Sequence, residues 1–167
     1  MAAGTLASVN EYLSTSYRPD CEYIDGVIVE RNVGERDHST LQGVIFAWFY
    51  NRRKELRLAA FVEQRVQVSR TRFRVPDVCV TLGGPPDEQI FTLPPFLCIE
   101  ILSPEDRLAA MQDRAADYLT MGVPYVFVID PKTRKTYRWT TDGMHQVAEL
   151  RTENPTIVIP LADLFEE

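Results

Sequence analysis

The spacing of apolar and polar residues in the first third of the chain predicts a helix, a hairpin and a second helix. Leu6 to Thr15 form a short helical pattern, for which Ser8 is a suitable N-cap. Residues 21–32 hold two β-favouring runs around Asp25-Gly26, a dipeptide typical of tight hairpin turns. From Arg36 to Leu58, apolar residues recur at three- and four-residue spacing, which predicts one long amphipathic helix.

The middle of the chain is richer in β-branched residues and predicts strands. We expect strands at Ala60–Val68 and Phe73–Leu82, joined by a polar hairpin tip at residues 69–72. Residues 83–87 combine two glycines, two prolines and an aspartate, which is typical of a loop. A buried strand is expected at Phe96–Leu102.

A strand–helix–strand unit is expected next, and it determines the fold class. A helix should run from Ser103 to about Met121 and end at Gly122, before an apolar strand at Tyr125–Ile129. Such a unit implies a parallel strand pair within an otherwise antiparallel sheet. Later strands are expected at 136–140, 145–150 and 157–159, with a short final segment at 161–165. The expected fold class is α/β (α+β), a mixed sheet flanked by helices in one domain over residues 1–167.

Two acidic residues interrupt the most apolar of these strands. Asp77 follows Val75-Pro76, and Glu100 lies inside the run from Phe96 to Leu102. An ionised carboxylate in a half-buried strand is costly unless it is paired or holds a metal ion. Two of them on consecutive strands favour a shared Mg²⁺ ion, with the main-chain carbonyl of Ile101 as a further ligand. The alternative is that Asp77 caps a turn and Glu100 pairs with an arginine.

Bulk composition indicates an ordinary globular protein. The chain has 167 residues, 45% of them hydrophobic, and a formal net charge of −6, which argues against a protein that coats nucleic acid. It contains no apolar run long enough for a membrane span and no signal-peptide layout at the N-terminus. Three cysteines, Cys21, Cys79 and Cys98, suit buried thiols in a reducing compartment. The expected location is cytoplasmic, without a membrane partner.

Positive charge is concentrated in one segment, which we call the basic strip. It comprises Arg52, Arg53, Lys54, Arg57, Arg65, Arg70, Arg72 and Arg74. Only Glu55 and Glu63 oppose these residues within the segment, so a phosphate backbone is a plausible ligand for Arg65, Arg70, Arg72 and Arg74. The alternative is a solvated helix end and hairpin tip that happen to be rich in arginine.

The order of short motifs along the chain resembles the Uma-two family of restriction-endonuclease-like proteins, within the PD-(D/E)xK nuclease superfamily. The matching motifs are Glu22-Tyr23-Ile24-Asp25-Gly26, His38, Pro76-Asp77-Val78, Ile99-Glu100-Ile101-Leu102-Ser103-Pro104, Tyr118, Gly122-Val123 and Asp130-Pro131. The resemblance implies the restriction-endonuclease-like fold and a phosphodiesterase site that uses Mg²⁺ or Mn²⁺. It does not imply a known substrate. DNA is the substrate under the main hypothesis, and a homodimer is expected by analogy with enzymes that cut both strands.

The resemblance assigns roles to individual residues. Asp77 and Glu100 match the family's metal-binding carboxylates, and Glu63 is a possible further ligand. The alternative for Glu63 is charge balance by Arg65 or another arginine. Glu22 and His38 match positions on the family's first hairpin and long helix. His38 would orient a water molecule or bind phosphate, or it would be a surface residue or a helix cap.

One departure from the family concerns the catalytic lysine. The superfamily motif has lysine two residues after the glutamate, where this chain has Leu102, and the family supplies it from the following helix, where this chain has Arg114. Arginine steadies negative charge, but it does not accept a proton near neutral pH. The main hypothesis is a metal-dependent endonuclease. The alternatives are a catalytically weak or inactive nuclease-fold protein that binds nucleic acid or protein, and a small-molecule or structural module.

Overall fold

A computed structural model describes residues 6–32 and 34–165. Its helices are α1 (Val9–Ser14), α2 (Arg36–Arg52), α3 (Leu108–Met121) and α4 (Leu161–Leu164). The first six strands are β1 (Cys21–Ile24), β2 (Val27–Glu30), β3 (Leu58–Val62), β4 (Val66–Ser69), β5 (Arg72–Arg74) and β6 (Val78–Leu82). The other six are β7 (Leu97–Ile101), β8 (Tyr125–Asp130), β9 (Lys135–Thr140), β10 (Gly143–Val147), β11 (Glu149–Thr152) and β12 (Ile157–Pro160).

A six-stranded mixed sheet forms the centre of the molecule, in the order β10-β9-β8-β7-β6-β3. Strands β7 and β8 are parallel and are joined through α3, while the other pairs in this sheet are antiparallel. The predicted mixed fold and its strand–helix–strand crossover are therefore confirmed. A four-stranded sheet, β2-β1-β5-β4, and the pair β11-β12 complete the strands of the described residues.

The strands of the central sheet present alternate residues to two separate cores, as the period of two residues in a strand requires. Helix α2 packs Leu41, Ile45 and Phe49 against one face of the sheet. Helix α3 packs Met111, Ala115 and Tyr118 against the other face, where Cys79 and Cys98 also lie. All three cysteines are buried and free, as predicted.

The N-terminal elements form a third core. Tyr12 of α1 packs with Tyr23 and Phe73, and its hydroxyl donates to the Cys21 carbonyl at 2.8 Å. Ser8 caps α1 through a reciprocal capping box with Glu11, so the predicted N-cap is confirmed. The predicted hairpin of β1 and β2 is also confirmed, with its turn at Asp25 and Gly26, both at positive φ.

Several predicted boundaries are wrong. Helix α2 ends at Arg52, because residues 53–57 form turns and Arg57 adopts a left-handed φ of 51° just before β3 begins. Helix α3 begins at Leu108, because the Asp106 carboxylate accepts the Ser103 N–H at 2.7 Å and holds residues 103–107 in a turn. The strand expected at 145–150 is divided between β10 and β11.

Both long strands predicted in the middle of the chain are broken in two. The segment 60–68 becomes β3 and β4, which belong to different sheets, with Glu63 between them at a φ of 51°. The segment 73–82 becomes β5 and β6, separated by Val75, Pro76 and Asp77. Proline has no N–H to donate to a ladder, so Pro76 suits the point where the chain changes sheet. These two breaks lie side by side, since the Glu63 N–H donates to the Asp77 carbonyl at 3.3 Å.

None of the helices within the described ranges combines the length and the apolar character that a membrane span requires.

Candidate active site

Two neighbouring strands bring Asp77 and Glu100 together. Val78 of β6 is the register partner of Ile99 of β7, so Asp77, one residue before β6, lies opposite Glu100. Both residues are only 2% exposed. They are on the side of the sheet that carries Cys79 and Cys98 and that α3 covers. Two carboxylates therefore lie next to each other at the edge of a buried core.

Asp77 is surrounded by hydrogen-bond donors. Its Oδ1 accepts a hydrogen bond from the Arg31 guanidinium at 2.5 Å and lies 3.3 Å from His38 Nε2. Its Oδ2 accepts the Ile101 N–H at 2.7 Å. Burial by itself would raise the pKa of Asp77, but the hydrogen bond from His38 and the charge of Arg31 hold that pKa below its ordinary value. Asp77 is therefore a carboxylate at neutral pH.

The main chain at Asp77 is fixed from two further directions. Gln42, on α2, donates from Nε2 to the Asp77 carbonyl at 3.0 Å, in addition to the bond from the Glu63 N–H. A side chain whose backbone is held in this way has little freedom to move, which is a requirement of a preorganised site.

Glu100 is in a different electrostatic position. Its Oε1 accepts a hydrogen bond from the Tyr118 hydroxyl of α3 at 2.5 Å. Burial, followed by the charge of Asp77, raises the pKa of Glu100 to about 8, although Arg114 acts in the opposite direction. The charge of Glu22 also raises it. In the metal-free protein the Glu100 carboxyl therefore holds a proton at neutral pH, because burial disfavours its ionised form and Asp77 already carries a negative charge nearby.

Glu22 lies in the interior, at 1% exposure on β1. It accepts hydrogen bonds from Arg74 Nη1 at 2.9 Å and from the Val75 N–H at 3.1 Å. Arg114 of α3 also approaches Glu22, with Nε 3.4 Å from Oε2. Glu22 therefore connects the four-stranded sheet to α3, and its charge acts on Glu100.

Arg114 lies in the site but is engaged by neighbours. Besides Glu22, it contacts Asp106, whose Oδ1 is 3.5 Å from Nη1. Burial alone would lower the pKa of Arg114, but the charges of Glu100 and Glu22 raise it. The guanidinium thus remains charged next to Glu100, and it brings a positive charge to the position where the family resemblance implies a lysine.

His38 is close to Asp77, as described above, and its side chain is 13% exposed. The hydrogen bond to Asp77 raises the pKa of His38 despite its partial burial. Its Nδ1 is buried and has no hydrogen-bond partner among the described residues. His38 is therefore a site residue by position, and it also faces a cleft.

Glu63 lies at the edge of the site. Its side chain is 46% exposed, and its Oε1 is 3.7 Å from Arg31 Nη1. The arginine that balances it is Arg31, so the same guanidinium contacts both Glu63 and Asp77.

The basic strip is divided by the fold. Arg72 and Arg74 are bound by carboxylates of the protein itself: Asp25, Asp113 and Asp117 for Arg72, and Glu22, Asp113 and Asp117 for Arg74. Arg74 is only 4% exposed, so its guanidinium does not reach solvent. Arg65 is half-buried over the Tyr12 ring, 5.6 Å from its centroid, and Arg70 is exposed at the β4–β5 turn. Arg65 and Arg70 are the two of the four with guanidinium groups available to a ligand.

Three residues of this site were given no site role from the sequence, although Tyr118 belongs to the motifs of the family resemblance. Arg31 follows β2 and had no local signal, because its partner Asp77 lies 46 positions away. Tyr118 is four residues after Arg114 on α3, so the helical repeat would have placed it on the same face. Asp106 lies in the loop after β7, where it accepts hydrogen bonds from Ser103 and from Asn32.

Two clefts are lined by residues that contact Asp77. One has a volume of about 590 Å³ and is lined in part by His38, Ser103 and Asp106. The other has a volume of about 490 Å³ and is lined in part by Arg18, Arg31 and Glu63. Arg31, which lines the second cleft, and His38, which lines the first, both contact Asp77 Oδ1.

The chemistry of the site suits a divalent cation. Within residues 6–32 and 34–165, no three or more His, Cys, Asp or Glu side chains are grouped so as to hold a metal ion. The oxygen atoms of Asp77 and Glu100 are nevertheless the donors that Mg²⁺ and Mn²⁺ prefer. A divalent cation would relieve the repulsion between the carboxylates that contributes to the raised pKa of Glu100.

Comparisons with known proteins agree with this architecture. The structure is similar to the crystal structure of a putative nuclease belonging to DUF820 from Anabaena variabilis ATCC 29413. The TM-score is 0.81 at 22% sequence identity, and the similarity covers 95% of this chain and 97% of that one. No curated protein matches the sequence. The family model of Uma2, described as putative restriction endonuclease, matches residues 9–167, so this chain belongs to the Uma2 family.

Proposed function

We propose that this chain is a metal-dependent endonuclease that hydrolyses DNA phosphodiester bonds at a PD-(D/E)xK-type site. The observation that carries the proposal is that Asp77 and Glu100 lie opposite each other in the register of β6 and β7. Both are buried, and basic side chains surround them. Membership of the Uma2 family supports a nuclease.

The metal ion would be Mg²⁺ or Mn²⁺, held by the carboxylates of Asp77 and Glu100 and by the main-chain carbonyl of Ile101. When bound, such an ion activates water and offsets the negative charge that develops on the phosphoryl oxygens. Asp77 is already ionised, whereas Glu100 has to release its proton before it can act as a ligand. Tyr118 fixes the position of Glu100 through the hydrogen bond to Oε1.

Basic residues near the carboxylates would position the substrate. Arg114 supplies a permanent positive charge beside Glu100, suitable for steadying the scissile phosphate, but it does not take a proton from water. His38 lies between Asp77 and the larger cleft, where it would orient water or a phosphate oxygen. Arg65 and Arg70 would contact the DNA backbone, and such contacts weaken steeply as salt is raised.

The proposal is tested by incubating the protein with supercoiled plasmid and with single-stranded DNA in Mg²⁺, in Mn²⁺ and in excess EDTA. Nicking or cleavage in either metal and none in EDTA is the expected result. DNA that remains intact in both metals, with a protein that is folded by circular dichroism, would contradict an active nuclease.

A second candidate function is a catalytically weak or inactive nuclease-fold protein that binds nucleic acid or a protein partner. The observation that favours it is Arg114, which replaces a lysine and is held by Glu22 and Asp106. Under this candidate, DNA binding would persist without cleavage.

The substitution Arg114→Lys separates the two candidates. We expect it to raise the cleavage rate by about tenfold or more, because it restores the lysine that the family resemblance implies, and an ammonium group, unlike a guanidinium, can give up its proton. Initial nicking rates of the wild type and the variant at several pH values are the measurement. As a control, Arg151→Lys alters an exposed arginine remote from the site and should leave the rate unchanged. A rate that falls in Arg114→Lys would show that the guanidinium fork itself is needed.

A further inference from the structure

Arg31 has an unusual position for an arginine in a metal-dependent site. It follows β2 directly, and its guanidinium donates to Asp77 Oδ1 at 2.5 Å. The same group is 3.7 Å from Glu63, for which the family resemblance left open a metal-ligand role or charge balance by an arginine. Its side chain is 13% exposed. A single cation thus contacts both Asp77 and Glu63.

The charges around Arg31 are those that a divalent cation would meet. Burial alone would lower the pKa of Arg31, but the charges of Asp77, Glu100, Glu22 and Glu63 together raise it. A guanidinium cannot lose its charge at physiological pH, so it cannot be neutralised to make room for a second cation. A metal ion that bound Asp77 Oδ1 would be strongly repelled by a guanidinium only a few ångströms away.

We propose that Arg31 is an internal counter-ion that occupies the divalent-cation position at Asp77 Oδ1 and competes with the metal ion for it. This inference rests on the proposed function, since it concerns the metal that the nuclease would use. Binding of the ion requires the guanidinium to leave Asp77. The resting protein is therefore a low-affinity metal binder.

The structure offers a place for the displaced guanidinium. Arg31 lines the cleft of about 490 Å³, together with Glu63 and residues 16–20. Glu63 is about half exposed and already lies within reach of Arg31, so it can pair with the guanidinium after release. Displacement exchanges a buried ion pair for a partly exposed one.

Calorimetric titration with Mn²⁺ in the absence of DNA tests this competition. The proteins to compare are the wild type, Arg31→Met, Arg31→Gln, Arg31→Lys and the double variant Arg31→Met/Asp77→Asn, each with its melting temperature recorded. Arg31→Met removes the charge, and Arg31→Gln removes it while keeping a donor for Asp77. Arg31→Lys keeps the charge and is the matched control.

We expect Arg31→Met and Arg31→Gln to bind Mn²⁺ at least about tenfold more tightly than the wild type. Arg31→Lys should bind Mn²⁺ as weakly as the wild type. The double variant should lose the tighter Mn²⁺ binding of Arg31→Met, because it lacks the Asp77 carboxylate. Equal affinity in the wild type and both neutral variants would overturn the inference and leave the proposed function standing. If none of the folded variants binds Mn²⁺, the metal dependence in the proposed function fails together with the inference.

Discussion

Replacing Glu100 with glutamine is expected to stabilise the metal-free protein at alkaline pH and to abolish DNA cleavage. The native carboxyl has its pKa raised from 4.5 to about 8 by burial and by the charge of Asp77. In the unfolded chain the same group ionises near its ordinary value. Ionisation above that value therefore favours the unfolded state, and the free energy of unfolding falls as the pH rises from about 4.5 to about 8.

Glutamine removes this dependence because it stays neutral at every pH. It can still accept the hydrogen bond from Tyr118 through its amide oxygen. The quantity to compare is the free energy of unfolding of Glu100→Gln minus that of the wild type. This difference should be more favourable to Glu100→Gln at pH 9 than at pH 5 by roughly 2–4 kcal/mol. The cleavage rate should fall by about 100-fold or more, because a neutral amide is a poor ligand for Mg²⁺ and leaves the transition-state charge uncompensated.

Urea unfolding in EDTA at pH 5 and pH 9, together with plasmid nicking in Mn²⁺, measures both effects. Glu55→Gln is the control, since Glu55 is exposed in the turn after α2 and should change neither quantity. A stability difference between Glu100→Gln and wild type that does not change with pH would show that Glu100 ionises normally in the folded protein.

Replacing Arg74 with methionine is expected to be among the most destabilising single changes in the chain. The Arg74 side chain is 5% exposed and binds Glu22, Asp113 and Asp117. Glu22 is itself 1% exposed and would keep the Val75 N–H and the more distant Arg114 as partners. Breaking a buried pair in this way leaves an uncompensated charge in the interior, which costs about 3–5 kcal/mol.

Urea denaturation at pH 7 measures the loss, with Arg151→Met as the matched control. Arg151 is 51% exposed and pairs with Glu149 at the surface, so its loss should change the free energy of unfolding by less than about 0.5 kcal/mol. Equal effects of the two substitutions would contradict a structural role for the Glu22–Arg74 pair.

The sequence was sufficient to predict that Asp77 and Glu100 lie close together on neighbouring strands. Each of these carboxylates lies in or directly beside an apolar run, and the two runs are consecutive along the chain. Consecutive strands are usually neighbours in a sheet, as β6 and β7 are here. The strand–helix–strand unit was also predictable, because Gly122 marks the end of α3 and an apolar strand follows at once. Both features could be predicted because they depend on the order of residues within short segments of the chain.

The partners of the site carboxylates were not predictable, because they depend on distant contacts. Arg31 is 46 positions from Asp77, and Arg74 is 52 positions from Glu22. Arginines 72 and 74 belonged to a charge-rich segment, and only the fold brings them to Asp113 and Asp117 on α3. A charge run in a sequence cannot show whether its members face a ligand or the carboxylates of the same protein.

The breaks at Glu63 and Pro76 were missed for a related reason. The β-favouring pattern continues across both positions, although β3 and β6 belong to one sheet and β4 and β5 to another. The change of sheet is a tertiary property, and it places the site at the junction of the two sheets.

The most direct test of the central claim is plasmid nicking in Mn²⁺ by the wild type and by Asp77→Asn at equal concentration. The amide keeps the shape of Asp77 and still accepts the Ile101 N–H, but it removes the anionic ligand. Asp142→Asn, in the exposed β9–β10 turn, is the control. The account predicts metal-dependent nicking by the wild type and the control, and a loss of about 100-fold or more in Asp77→Asn. Nicking that persists in a folded Asp77→Asn would contradict the assignment of this site.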